Sequence, residues 1–469
     1  MKIAFIHYHL KTGGVTTVLR QQVEAIRDHC QSLVIAGSHP DADFPVKTAV
    51  IPELGYTRPD QKSFDPAGVA DSIIRTIYSA FNGDCDVLHV HNPTLAKNKH
   101  FLQILAQLKR RNVNLFLQIH DFAEDGRPLV YYPDAYISNC HYGVLNSRDY
   151  AILLKAGLKS EGLHIIPNMV NPVRGMRQDT PPGDFVLYPI RAIRRKNIGE
   201  AILLALFFDH GEKLVITLPP NSPVDMISYR DWKSFVKKHN LPVEFDAGIK
   251  KDFRGLVQAA KFLITTSITE GFGFSFLEPW VYDKLLWGRR LSNISQDFEE
   301  NGIRLDHLYD RLMVPVDWID PTKLFKRWLS CIQDTCDVFN YPIQKDHITT
   351  AFERISANDR VDFGLLDEGF QKQIIMRVLA GKKNADILKQ MNTFLIHPGE
   401  VPQKYALIRE NKRAALKNYD RHSYRKKLME IYTSVSQQTV HQRIDKNVLL
   451  SEFLKLDEFS LLKWCNYLE

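Results

Sequence analysis

The strongest constraint in this chain is a periodic one. Short apolar or β-branched runs alternate with helix-length amphipathic stretches, and the series is written twice. Runs at 2–8, 33–38, 86–92, 115–121, 135–140 and 164–168 read as strands, with helical patterns near 15–29, 66–81, 98–110 and 143–157 between them. Strands that are apolar on both faces and separated by helices imply a parallel sheet with helices on both sides. A polar, Pro-rich break at 171–183 ends this series. The pattern then restarts with runs at 185–190, 214–218, 243–247, 262–267 and 312–316. The expected fold class is therefore α/β: two doubly wound, Rossmann-like parallel-sheet domains facing a cleft, with ligands beyond the carboxyl ends of the strands. From about 320 onward the pattern is mostly helical. The expected domains are 1–175, 184–418 with insertions, and a helical extension at 419–469.

Composition narrows the ligand. The 469 residues suffice for two or three cores, and 61 basic against 54 acidic residues give a net charge of +7. That mild excess favours anionic ligands and falls short of a nucleic-acid signature, so phosphate is the first partner to seek. The six cysteines lack zinc-type spacing and read as reduced thiols of a cytosolic protein. The apolar start at 1–8 is too short for a signal peptide. The longest other apolar run, 201–208, is far below the roughly 18 residues that span a bilayer. Lys97, Lys99, Lys109, Arg110 and Arg111 flank an apolar stripe, which reads either as a solvated helix or as a peripheral contact with anionic lipid. The residues 404–427 are also dense in Lys and Arg. The tail pattern 448–459 suggests an amphipathic helix for core or partner contact.

Several motifs follow strands. Lys11-Thr12-Gly13-Gly14-Val15 opens a helix after the first strand; it is either a plain βα turn or a phosphate cradle formed by backbone N–H groups. His120-Asp121 ends the strand at 115–121, where His120 reads as a structural histidine or a sugar-facing donor that Asp121 orients. His89 and His91 share a strand face and lack a third metal ligand at suitable spacing, so structural roles fit them better. Arg191-Ala192-Ile193-Arg194-Arg195-Lys196 follows the first strand of the second half. Arg191 and Lys196 are the choices for a polyphosphate, with Arg194 and Arg195 left to face water. The stretch Thr269-Glu270-Gly271-Phe272-Gly273-Phe274-Ser275-Phe276-Leu277-Glu278 should open a helix at its glycines, with Glu270 before it and Glu278 about two turns in. Each carboxylate can accept hydrogen bonds from vicinal hydroxyls, one from a sugar and one from a ribose. A dipole-favoured acid and a surface Glu are the plainer reading.

Together these residues resemble the retaining GT-B glycosyltransferases of family 4, the glycogen-synthase-like and sucrose-synthase-like group. The resemblance covers about residues 1–290, with an echo near 423–432. Its anchors are Gly13-Gly14-Val15, His120-Asp121, Ile166-Pro167-Asn168, Arg191 with Lys196, and Glu270 with Glu278 around Gly271-Phe272-Gly273. It implies that Arg191 and Lys196 hold a nucleotide-sugar diphosphate and that Glu278 holds the ribose. Glu270, with the amides near Phe272, Gly273 and Phe274, would hold the donor sugar. By the same resemblance Gly13-Gly14 approaches the diphosphate, His120 lies beside the transferred sugar, and Ile249 in Phe245-Asp246-Ala247-Gly248-Ile249 contacts the base. A helix within 419–432 would cross back to the first domain. The segment Pro279-Trp280-Val281-Tyr282 departs from the family's small residues and Gly-x-Pro-Val-Val strand.

The implied activity is transfer of a hexose from a UDP- or GDP-linked donor to a hydroxyl acceptor, with retention at the anomeric carbon. No cofactor or metal is expected, because Arg191 and Lys196 can stabilise the leaving diphosphate. Other readings stay open: a sugar-nucleotide-binding protein of the same fold without transfer, or another GT-B enzyme such as a phosphorylase or epimerase. The acceptor is undefined, since the first-domain loops carry His7, His9, Lys11, Asp125 and Arg127 in no recognised pattern.

Overall fold

The computed structural model describes residues 1–57, 64–173 and 183–465. The chain forms two compact units. The first comprises Met1–Met169 and Tyr419–Leu454; the second comprises Val170–Asn418 and the segment from Lys455 onward.

The first unit is built on seven strands: β1 (Lys2–His7), β2 (Gln31–Ala36), β3 (Thr48–Val50), β4 (Val87–His91), β5 (Leu115–Gln118), β6 (His141–Val144) and β7 (Leu163–Ile165). All pair in parallel, in the order β3-β2-β1-β4-β5-β6-β7. The order reverses between β1 and β4, which is where a doubly wound sheet opens a crevice at its carboxyl edge. Helices Pro66–Phe81, Phe101–Arg110 and Ser147–Lys155 cover one face through Ile73, Phe101, Leu105 and Leu153. Helix Gly14–Ile26 covers the other together with Arg421–Gln437, joining Leu19 and Val23 to Leu428 and Tyr432 in one core. Asp420 caps that C-terminal helix, its carboxylate accepting from the Ser423 N–H at 2.8 Å.

The second unit has five parallel strands: β8 (Phe185–Arg191), β9 (Lys213–Leu218), β10 (Val243–Glu244), β11 (Leu263–Thr265) and β12 (Leu286–Gly288), in the order β10-β9-β8-β11-β12. Here the reversal falls between β8 and β11. Behind this edge Arg289 is buried in a double fork, pairing with Glu200 at 2.6 Å and Asp362 at 2.7 Å. Two carboxylates around one guanidinium satisfy a charge that would be costly alone.

The structure differs from the sequence pattern in several places. The run 135–140 is not a strand: Asn139 takes the left-handed backbone (φ 56°), and extension begins only at His141. Strands β3 and β12, three residues each, are too short to show a period. The run 312–316 contributes Met313–Pro315 to a separate antiparallel ribbon with Arg360–Asp362, not to the parallel sheet. The cysteines are not all thiols: Cys331 and Cys465 form a disulfide with Cα atoms 5.6 Å apart, while Cys30, Cys85, Cys140 and Cys336 are free. A separation of 134 positions hides that pair from any local spacing rule. Phe101, Leu102, Ile104, Leu105 and Leu108, the apolar stripe of the basic amphipathic helix, lie in the first unit's core. No helix among the described residues is long and apolar enough to cross a membrane. The tail helix Lys446–Phe453 packs Leu449 and Phe453 into the same core. Within the Pro-rich break, 174–182 fall outside the described residues.

Candidate functional site

In the second unit, charge collects at the reversal between β8 and β11. After β8 a single turn, Arg194–Lys196, leads into helix Ile198–Ala205. The Lys196 carbonyl accepts from the Tyr188 hydroxyl at 2.7 Å and from Thr266 Oγ1 at 3.0 Å, which ties the turn to β8 and to the residue after β11. Asn197 reverses the chain in the left-handed region (φ 51°), and its side chain bonds Glu200 and Gln371. So held, Lys196 places Nζ 2.5 Å from Glu270 Oε1. Burial opposes ionisation of Glu270, yet Lys196 and Arg195 outweigh it and hold the carboxyl below its ordinary value.

The four cations of this loop have separate surroundings. Arg191 donates to the Pro219 carbonyl at 2.9 Å and to Asn221 at the edge of β9. Arg194 does not face water: its guanidinium forks onto Glu368 at 2.6 and 2.9 Å and donates to the Cys465 carbonyl. Arg195 is half-buried and acts on Glu270, so it is no more a solvent residue than Arg194. A turn with three residues per revolution sends successive side chains about 120° apart, which explains why neighbouring arginines find different partners.

The stretch after β11 is not one continuous helix. A turn at Phe274–Phe276 is followed by a short helix, Glu278–Val281, so Glu278 opens that helix and does not lie two turns inside it. Pro279 accounts for the break, since it has no N–H to give the Ser275 carbonyl one turn back. Gly273 is required at its place: its φ is 92°, and a Cβ would come within 3.0 Å of Ile294 and Phe276. Phe272 is buried edge-on to Phe274 and Phe298, with centroids 5.1 and 5.4 Å away. Glu278 is exposed, but the protein mass around it pushes its carboxyl up to about 7, against the pull of Lys196. Ile249, in the one-turn helix Ala247–Lys250, is exposed and presents an apolar side chain. The departing segment is well accommodated, with Trp280 fully buried and its indole N–H donating to the Phe276 carbonyl at 2.7 Å.

In the first unit, His120 follows β5. Asn92, just past β4, accepts from the His120 and Asp121 N–H groups at 2.8 and 3.3 Å and so fixes the loop. His120 Nε2 lies 2.8 Å from His91 Nδ1. Among the described residues His91 Nε2 is buried without a partner, so we place the His91 proton on Nδ1, where it donates to His120 and leaves only a lone pair unused. The His120 proton then sits on Nδ1. Burial brings the His120 imidazole down to about 4, with Asp121 opposing, so it is neutral at physiological pH. Asp121 does not orient the ring: it accepts from Arg127 at 2.8 Å and reaches His120 only through charge. The orienting residue is His91, whose only signal in sequence is its period-two pairing with His89 on the neighbouring strand. His89 is structural, bonded to Tyr432 and Gln118 at 2.9 Å each. Gly13 and Gly14 form an exposed turn after β1. A Cβ on Gly14 would meet nothing, and one on Gly13 nothing nearer than the Lys11 carbonyl at 3.8 Å, so the chain's own packing does not demand glycine there.

No family model matches the chain. Among curated proteins it is similar to mannosylglucosyl-3-phosphoglycerate synthase of Petrotoga mobilis, with 24% identity over 97% of this chain and 98% of the relative. Among solved structures it is similar to sucrose-phosphate synthase of Thermosynechococcus elongatus, at 15% identity and a TM-score of 0.53, over 92% of this chain and 98% of that one. It is also similar to Anabaena HepE in complex with UDP and glucose, at 13% identity and a TM-score of 0.55, over 92% and 99%. With two doubly wound parallel sheets and C-terminal helices, the chain has the GT-B fold of these structures.

Proposed function

We propose that the chain is a retaining, family-4-like glycosyltransferase that moves a hexose from a UDP- or GDP-linked donor to a hydroxyl acceptor. The observation that carries this reading is the Lys196–Glu270 pair at the reversal point between β8 and β11, with Glu278 opening the next helix. In it, Arg191 and Lys196 take the diphosphate, Glu278 the ribose hydroxyls, Glu270 and the backbone around Phe272, Gly273 and Phe274 the hexose, and Ile249 the base. Gly13-Gly14 leave room for diphosphate oxygens, and His120 donates from Nδ1 to a hexose hydroxyl. As the bond from the anomeric carbon to the phosphate oxygen breaks, the acceptor oxygen bonds that carbon on the same face. Its proton passes to the departing phosphate, so no protein nucleophile or bound metal is needed. Catalysis then rests on positioning and on cations aimed at the developing charge. The Petrotoga relative is named for a product containing 3-phosphoglycerate, which makes acidic acceptors the first to try.

The test is donor turnover by the full chain with UDP-, GDP- and ADP-hexoses, with the anomeric configuration of the product read by NMR. Wild type should turn over one donor with retention, and Arg191→Ala should lower that turnover by roughly a hundredfold, the loss seen when one preorganised donor to a developing anion is removed. No binding of any of these donors, together with an inert Glu278→Ala, sinks the proposal.

A further inference from the structure

At the reversal between β1 and β4, one cluster among the described residues offers mainly hydrogen-bond donors. The Lys11 N–H donates to His9 Nδ1 at 3.3 Å, so that nitrogen carries the lone pair and the proton of the neutral ring sits on Nε2. From there it donates to the Tyr56 hydroxyl oxygen at 3.0 Å. Lys97 Nζ donates to the same oxygen at 3.1 Å, lying 5.2 Å from the ring centroid. With both lone pairs of that oxygen engaged, Tyr56 has only its own O–H left to give. Among the described residues Lys97 Nζ donates to Tyr56 alone, which leaves two N–H groups, and the Lys11 ammonium is exposed. No salt bridge engages Lys11 or Lys97 among the described residues; the nearby acid is Asp41, which accepts from the Thr12 N–H at 3.0 Å. Burial lowers His9, helped by Lys97 and Lys11 and opposed by Asp41, so the ring stays neutral.

The cluster is built, not incidental. Asn98 donates to the carbonyls of Glu53 and Gly55 at 2.7 and 2.9 Å, and Thr57 donates to the Lys97 carbonyl at 2.9 Å, locking the two loops together. It also adjoins the site already described. The buried His7 ring lies edge-on to His9 and His91, with centroids 5.4 and 6.2 Å away, and His91 is the residue that holds His120.

We propose that Tyr56, Lys97 and Lys11 hold a phosphate or carboxylate group of the acceptor, so that the substrate to be glycosylated is an acidic hydroxyl compound. This rests on the transfer reading above. Hydrogen bonds from a cation to an anion are shorter and about twice as strong as neutral ones, which suits two lysines and a tyrosine hydroxyl to this group.

The test is calorimetric titration of the full chain with 3-phosphoglycerate, glycerate and glycerol 3-phosphate, with no donor present. At least one should bind saturably, and Lys97→Met and Tyr56→Phe should each weaken it roughly tenfold or more. Lys97→Arg should retain most of the affinity, and Lys99→Met, which removes an exposed lysine two positions away, should change nothing. Glycerol 3-phosphate binding like 3-phosphoglycerate identifies phosphate as the group; glycerate doing so identifies carboxylate. Binding of none of the three, or binding indifferent to Lys97→Met, overturns the proposal. Binding through Lys97 in protein that turns over no nucleotide sugar refutes the transfer reading and keeps the anion site. Hexose transfer to neutral acceptors alone refutes the anion site and keeps transfer.

Discussion

At the scale of single residues, pairing distinguishes chemically equal candidates. Three adjacent cations, Arg194, Arg195 and Lys196, are alike in sequence, yet Arg194 is committed to Glu368, 174 positions away, and Lys196 to Glu270, 74 away. Only the second pair lies with a strand end on each side. Glu278 gives a pH signature. Its carboxyl, pushed up to about 7 by its surroundings, is mostly protonated below that value and mostly ionised above it. Ribose hydroxyls donate to the ionised form, so donor KM should fall as pH rises from about 6 to 8 and approach tenfold per unit at the acid end. Glu278→Gln removes the titrating group, and its donor KM should be flat across the same range; steady-state kinetics at each pH checks both.

Elements explain where local pattern misled. Glycines and phenylalanines at 271–276 read as one helix start, but Gly273 in the left-handed region and Pro279 split the segment into a turn and a short helix. The result moves Glu278 to a helix start, where it feels the charge of Lys196. The turn at Gly13-Gly14 behaves oppositely, since the fold leaves its Cβ positions open. Gly14→Ala should therefore keep the fold and raise stability by at most about 1 kcal/mol, the gain of a compatible Gly-to-Ala change. It should nevertheless raise donor KM if backbone approach to the diphosphate is the reason for glycine, and melting curves with donor kinetics on one preparation separate the two effects.

At the scale of the whole molecule, a late segment of the chain, Tyr419–Leu454, belongs with its first 169 residues. Helix Arg421–Gln437 supplies Tyr424, Leu428, Ile431 and Tyr432 to a core otherwise made from the first 169 residues, and Tyr432 also holds His89 on β4. Leu428→Ala, at a fully buried position, should cost about 2–5 kcal/mol. Hydrogen exchange should show the loss in amides of β1 and β4 and not in β8 and β11; equal loss in both sheets would contradict this assignment of the helix to the first core.

The sequence by itself determined the alternation of strand and helix, the two parallel sheets that follow from it, and the chemistry-bearing segments after β1, β5, β8 and β11. These are legible because apolar periodicity and turn residues act over a few positions. Only the tertiary structure decided which cation meets Glu270, that His91 and not Asp121 orients His120, that Cys331 and Cys465 join, and that His9, Tyr56 and Lys97 form one donor cluster. Those contacts span dozens to hundreds of positions, and they are set by strand order and sheet register, which no local pattern encodes.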